Sequence, residues 1–414
     1  MKKTVCLLLC LALLFTVLTC APAEDEQVTV DESGLFEYVV REDGSAELIR
    51  YLGPDGRVLI PNDLDGHPLL AVRQNPFYNE SSKSTKDCAA AVAKDHPYLA
   101  TINNVLFGKS DYKLIAYPTT LTETAYQIPE GIEIIGDYAF FGCQNLRSVS
   151  IPATVTTLGK AAFTQCRSLS SVVIPDSVIS IGTEAFSLCI NLKSVNVPAG
   201  AAQIGQGVFS HCQNLTSVTL ADGLAAIPDG MFYACSKLEV IEIPASVTSI
   251  GKSAFQSCDR LVTISLPAGI TQIGDNAFYH CENLTSVSLP EGVTRIERYT
   301  FSGCHKLSAV ELPGGITSLG RDAFSYSGLT SIVIPDGVAS IDEDAFRGCE
   351  SLASAVVPDS VEKMGNHVFL SCSPDLVIQV GFGSYAETYC MKNGLNYETN
   401  DELYCDAPTD WLNH

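Results

Sequence analysis

Ten of the sixteen cysteines in this chain share one phase. Cys143, Cys166, Cys189, Cys212, Cys235, Cys258, Cys281, Cys304, Cys349 and Cys372 each stand three residues after a phenylalanine, and Ser327 occupies the one gap in the series. Such a set could form disulfides, hold metal as a thiolate ladder, or pack as buried free thiols. Zinc sites use Cys-x-x-Cys pairs that converge on one point, and the column lacks that pairing. Equivalent side chains of a repeat point the same way, so neighbours lie parallel rather than facing, which suits disulfide geometry poorly. Buried thiols acting as small apolar groups are the favoured reading. Cys88, Cys390 and Cys405 lie outside the column, and Cys390 with Cys405 is the pair to examine for a disulfide.

Other chemistry finds little support. The histidines are His67, His96, His211, His280, His305, His367 and His414, with no pair at metal-ligand spacing, and they read as surface residues. Asp342-Glu343-Asp344 reads as a turn facing water rather than an acid/base pair, because that pair needs a cleft. Gly381-Phe382-Gly383-Ser384-Tyr385-Ala386 matches a dinucleotide-binding pattern, yet only 28 residues follow Ala386, too few for the sheet that fold requires. Ser384 with Glu387 instead forms a capping box that opens a helix, which Asn393-Gly394 closes. These observations point to no catalytic residue, no cofactor and no metal.

The remaining candidates are binding residues on a surface column next to the phenylalanines. Phe141, Tyr233 and Tyr279 directly follow one, and Tyr326 stands two residues after another. Tyr233 and Tyr279 are two repeats apart, roughly 10 Å at the usual strand spacing, which suits an extended glycan or peptide. The alternative is that these rings pack on neighbouring turns. A second face carries Ser148, Ser171, Ser194, Ser217, Ser286, Ser331 and Ser354, a small polar ladder that offers only a shallow surface.

These columns exist because the chain repeats every 23 residues. Phe140, Phe163, Phe186, Phe209, Phe232, Phe255, Phe278, Phe301 and Phe324 keep that spacing, and Phe346 and Phe369 follow one 22-residue unit. Within a unit, Val149 and Ile151 alternate with Ser148 and Ser150, the pattern of a short strand with one buried face. Proline ends the strand at Pro152 and at equivalent places, and Ala221 alone breaks that column. Gly159 and its equivalents are expected to permit a sharp turn, with Pro228, Glu297 and Asp342 replacing them in three units. One unit cannot bury its own apolar residues, but a stack of them makes a continuous core, so the fold class is a mainly β repeat solenoid.

The run from Ile243 to Ile264, Ile-Pro-x-x-Val-Thr-x-Ile-Gly-x-x-Ala-Phe-x-x-Cys-x-x-Leu with few departures, resembles the BspA-like leucine-rich repeat of bacterial secreted and surface proteins. The resemblance covers about Ile128 to Pro374 and implies a scaffold for adhesion or recognition. It extends to an opening rung around Phe36-Glu37-Tyr38, a degenerate anchor at Phe77, and a hairpin module from His96 to Pro118. Asn79 to Asp95 departs from the pattern and reads as a loop or short helix.

The organisation that follows is a signal peptide over 1–23, a β cap over 24–127, a solenoid over 128–376, and a capping helix with an acidic tail over 377–414. Lys2 and Lys3, the apolar run from Val5 to Leu18, and Ala21-Pro22-Ala23 carry the signal-peptide reading, with Glu24 as the mature start. A lipoprotein anchored at Cys20 is the alternative. The chain has 47 acidic against 25 basic residues and a formal charge of -22, which excludes nucleic acid as a partner. The sequence therefore implies a secreted, non-catalytic protein for recognition or adhesion, with an extracellular protein or glycan as partner and no membrane insertion once the signal is removed. A passive spacer and a carbohydrate-active enzyme are the rival readings.

Overall fold

A computed structural model describes residues 27–399. The proposed signal peptide, Cys405 and the acidic tail lie outside the described residues. No helix within them is long and apolar enough to cross a membrane.

The amino-terminal part builds its own core. Strands Phe36–Val40 and Ala46–Tyr51 pair antiparallel, His67–Val72 adds parallel, and Phe36, Tyr38, Leu48, Ile60 and Phe77 pack beneath them. The segment expected to be a loop or helix instead contains a strand, Cys88–Val92, paired in parallel with Gly56–Ile60. Alanine has low intrinsic strand preference, so Ala89-Ala90-Ala91 gave no β signal, and long-range pairing decided the outcome. His96 is another correction, since it is fully buried rather than on the surface. Its Nε2 faces the Pro61 carbonyl, while Nδ1 accepts from the backbone N–H of Tyr98 and Leu99, so it ties down the start of the hairpin. That hairpin joins Leu99–Ile102 to Val105–Gly108 through Asn103 and Asn104, both left-handed as a tight two-residue turn requires.

Three parallel seams then hold the rungs together. The first runs through the strands before the prolines, where Ser148 registers with Ser171 and Ser194 with Ser217. The second links two-residue strands such as Thr157–Leu158 and Ser180–Ile181, and strand Lys113–Ala116 of the cap begins it by pairing with Ile134–Ile135. The third lies around each phenylalanine. In the Phe163 rung, the N–H groups of Ala161, Phe163 and Gln165 donate to carbonyls of the next rung at 2.7 to 2.9 Å. Donation from alternate residues requires the residues two before and two after every anchor phenylalanine to be left-handed, and most of them are not glycine. Each such residue costs roughly 1–2 kcal/mol, which the inter-rung bonds and the buried ring offset.

The glycines that share one repeat phase do a different job from the one their type suggests. None of Gly136, Gly159, Gly182, Gly205, Gly251, Gly274, Gly320 and Gly365 has a positive φ. A Cβ at Gly182 would instead lie 2.5 Å from both the Gly159 carbonyl carbon and the Lys160 nitrogen of the preceding rung. Backbone meets backbone here, and neither side can yield without breaking the seam. Gly182→Ala is therefore expected to destabilise by about 1–3 kcal/mol. Gly314→Ala, where nothing lies within 4 Å of the added carbon, should stay near wild type in the same denaturation measurement.

The phenylalanines form one buried stack from Phe140 to Phe369, with ring centroids 4.8 to 5.9 Å apart and ring planes within 18° of parallel. Helix Tyr385–Asn393 closes the far end. Ser384 accepts from the Glu387 N–H at its start, and left-handed Gly394 ends it.

Candidate ligand-binding turn face

The cysteine column is structural. All ten members are free thiols. From Cys166 to Cys372 each donates to the backbone carbonyl of the phenylalanine in the rung before, at 3.1 to 3.3 Å. The thiol thus serves as a small apolar group that also satisfies a buried carbonyl. Burial pushes most of the thiols up, to about 12 for Cys166, Cys212 and Cys304, which keeps those thiols protonated at neutral pH, while the hydrogen bond from Cys372 lowers Cys349.

The left-handed pairs bring the residues around each phenylalanine to one surface, the turn face. A groove of about 730 Å³ runs along it, from Tyr78 and Tyr138 at one end to Tyr233 and Ser253 at the other. The cap makes the first end. Strand pair Tyr78–Asn79 and Ser84–Thr85 reaches over the Phe140 rung, stacking Tyr78 on Tyr138 at 3.7 Å. Lys160 sits 5.5 Å over the Tyr138 ring and pairs with Glu80 at 3.8 Å. Burial raises the Tyr78 hydroxyl to about 12. Phe141 lies under this hairpin, 4.8 Å from Tyr78 and only 5 % exposed. It packs against the cap and lines the first end of the groove with little of its ring exposed, so packing is its main contact where a ligand contact was expected.

Small residues form the floor, including Thr164, Ser187, Gly207, Ser210 and Gly230. Ser210 donates to Ser187 at 2.8 Å and Thr164 to the Glu184 carbonyl, so these hydroxyls are already engaged. At the far end Tyr233 is half-buried and meets His211 edge-on at 4.9 Å. Tyr279 and Tyr326 lie farther along the same face, outside the groove. Tyr279 packs on His280 at 4.3 Å and Tyr299 at 5.9 Å, while Tyr326 is 48 % exposed and lies against Gly348. Left-handed Gly303 likewise makes room for the His280 ring. His211 and His280 share a phase in the sequence, and that phase was the signal for their common role as ring partners. Tyr78, Glu80 and Lys83 carry no such signal, because they belong to the cap and reach the face only through its packing.

Among the described residues, one group of metal-ligand types comes together. Glu343, Asp344 and His367 have ligand atoms within 4.8 Å of one another. Asp344 is buried rather than facing water, and Arg347 pairs with it at 3.5 Å while Arg321 pairs with Glu343 at 3.5 Å. Two guanidinium groups already occupy these carboxylates and oppose a cation there.

No curated relative matches the chain. Similar solved structures include a leucine-rich repeat protein from Bacteroides ovatus, 24% identical, covering 88% of this chain and 98% of its own, with a TM-score of 0.47. A leucine rich cell surface protein from Faecalibacterium prausnitzii is 25% identical over 91% of this chain and 99% of its own, with a TM-score of 0.40. The pneumococcal vaccine antigen PcpA is 14% identical over 91% and 99%, with a TM-score of 0.47. The BspA type leucine-rich repeat region matches in six copies, over residues 115–239, 156–285 and 271–390, and the chain with its 23-residue rungs and stacked phenylalanines belongs to that family.

Proposed function

We propose that this chain is a secreted, non-catalytic recognition protein whose turn face binds an extended, electrically neutral segment of an extracellular protein or glycan. The groove on that face carries the reading. Lys83, Lys160 and Lys252 line it together with Glu80, Glu184 and Asp229, so charges of both signs are balanced along its length. Balanced charge disfavours a polyanion or polycation and leaves ring contacts and shape to select the ligand. The rungs from Phe140 to Phe232 are spaced 4.8, 5.0, 5.6 and 5.9 Å apart, about 21 Å in all, room for about six residues of extended peptide.

The test is a glycan and matrix-protein array probed with the chain from Glu24, followed by variants against whatever binds. Tyr233→Ala should weaken binding by about 1–3 kcal/mol without unfolding the rungs, while Tyr279→Ala, beyond the groove, reports whether the ligand runs farther along the same face. Ser150→Ala on the strand face should leave it unchanged. Loss of binding in the serine variant, with the Tyr233 variant intact, would move the site to the strand face. An array without any ligand would favour the passive spacer.

A further inference from the structure

The rungs are not joined equally. The first seam is interrupted between strands Ser217–Leu220 and Val240–Glu242, and again between Ala309–Glu311 and Ser331–Val333. The second is interrupted between Gln203–Ile204 and Ala226–Ile227, and between Gln272–Ile273 and Arg295–Ile296. At the later interruptions the other strand seam stays intact, because Ser286–Ser288 pairs with Ala309–Glu311 and Arg295–Ile296 pairs with Ser318–Leu319. Only between the Phe209 and Phe232 rungs do both open together.

The sequence supplies the cause for one of them. At equivalent places the glycine N–H donates to the rung before, as Gly205 does to the Ile181 carbonyl and Gly251 to the Ile227 carbonyl, both at 2.8 Å. Pro228 stands there in the Phe232 rung and has no N–H to give to Ile204. Three backbone bonds cross the junction among the described residues, and all belong to the turn seam: Gly207 to Asp229, Phe209 to Met231 and His211 to Tyr233. Phe209 and Phe232 are 5.9 Å apart, the widest step in the stack. A cleft of about 210 Å³ lies on the strand face, lined by Ser217 to Leu220 and Val240 to Glu242.

We propose that this junction is a built-in hinge, fastened along the turn face and free to open along both strand seams. The groove floor crosses it between Ser210 and Tyr233, so the angle between the two halves of the groove is set at the hinge. The hinge itself does not depend on the proposed ligand, and its test needs none. Hydrogen exchange of the chain from Glu24, read by peptide mass, should show Ser217–Leu220 and Val240–Glu242 exchanging about tenfold faster than the equivalent strands Thr263–Ser265 and Ser286–Ser288. Pro228→Gly, which restores the residue type used in most rungs and its N–H, should slow exchange over 203–204 and 226–227. Equal exchange of the four wild-type strands would overturn the hinge whatever the variant does. A folded Pro228→Gly chain with unchanged exchange at 203–204 and 226–227 would overturn the missing N–H as its cause.

Discussion

Phe255→Ala is expected to lower the stability of the chain by about 3–5 kcal/mol, the range for removing a fully buried aromatic ring. The ring is fully buried and stacks at 5.5 Å on both Phe232 and Phe278. The site cannot collapse around the cavity, because the Phe232 N–H donates to the Ala254 carbonyl and the Phe255 N–H to the Ala277 carbonyl, which sets the rung spacing. Solenoid stability is carried by contacts between nearest neighbours, so one cavity weakens two interfaces at once. Guanidinium denaturation reads the effect directly. A midpoint equal to wild type would mean that the stack is not what holds the rungs.

A second large effect should appear in alkali. Burial raises most of the column thiols above their ordinary value of 9.0, to about 12 for Cys166, Cys212 and Cys304, and Cys143, Cys189, Cys235 and Cys281 also shift well upward, whereas a hydrogen bond with Cys372 lowers Cys349. Above pH 9 the unfolded chain loses thiol protons that the folded chain keeps. The folded state then binds more protons than the unfolded one, so stability falls as pH rises. The contribution is complete below about pH 9 and is lost progressively up to about pH 12. Tyr78 and Tyr126, also raised by burial to about 12, act in the same direction. Denaturation midpoints measured across this range should drop steeply, with thiolate absorbance appearing together with unfolding. Thiolate formation near pH 9 in a chain that stays folded would show that the column is open to solvent.

Much of this was legible in the residues, for a physical reason. A unit that cannot bury its own Leu, Val, Ile, Phe and Cys must stack on copies of itself, so period and residue type together dictate the solenoid and its core. Val149 faces inward and Ser148 and Ser150 outward, as their alternation requires. The thiols of the cysteine column are free and, apart from half-buried Cys372, fully buried, as shared phase requires. The second seam was not legible, because a two-residue strand such as Thr157–Leu158 is too short to show alternation.

Residue type by itself determined which side chains enter the core and where the proline-terminated strands stop. Tertiary structure decided everything that depends on what lies against a rung. The glycine column proved to be a place of close backbone approach, and the left-handed turns fell to residues such as Ala161, Gln165 and Leu188, because the seam needs their N–H groups aligned. Phe141 and Tyr233 occupy the same phase, yet one is covered by the cap hairpin and the other is half-buried at the end of a groove. Phase sets the direction in which a side chain points, while exposure depends on contacts such as that of Tyr78 with Tyr138, made between residues far apart in the chain.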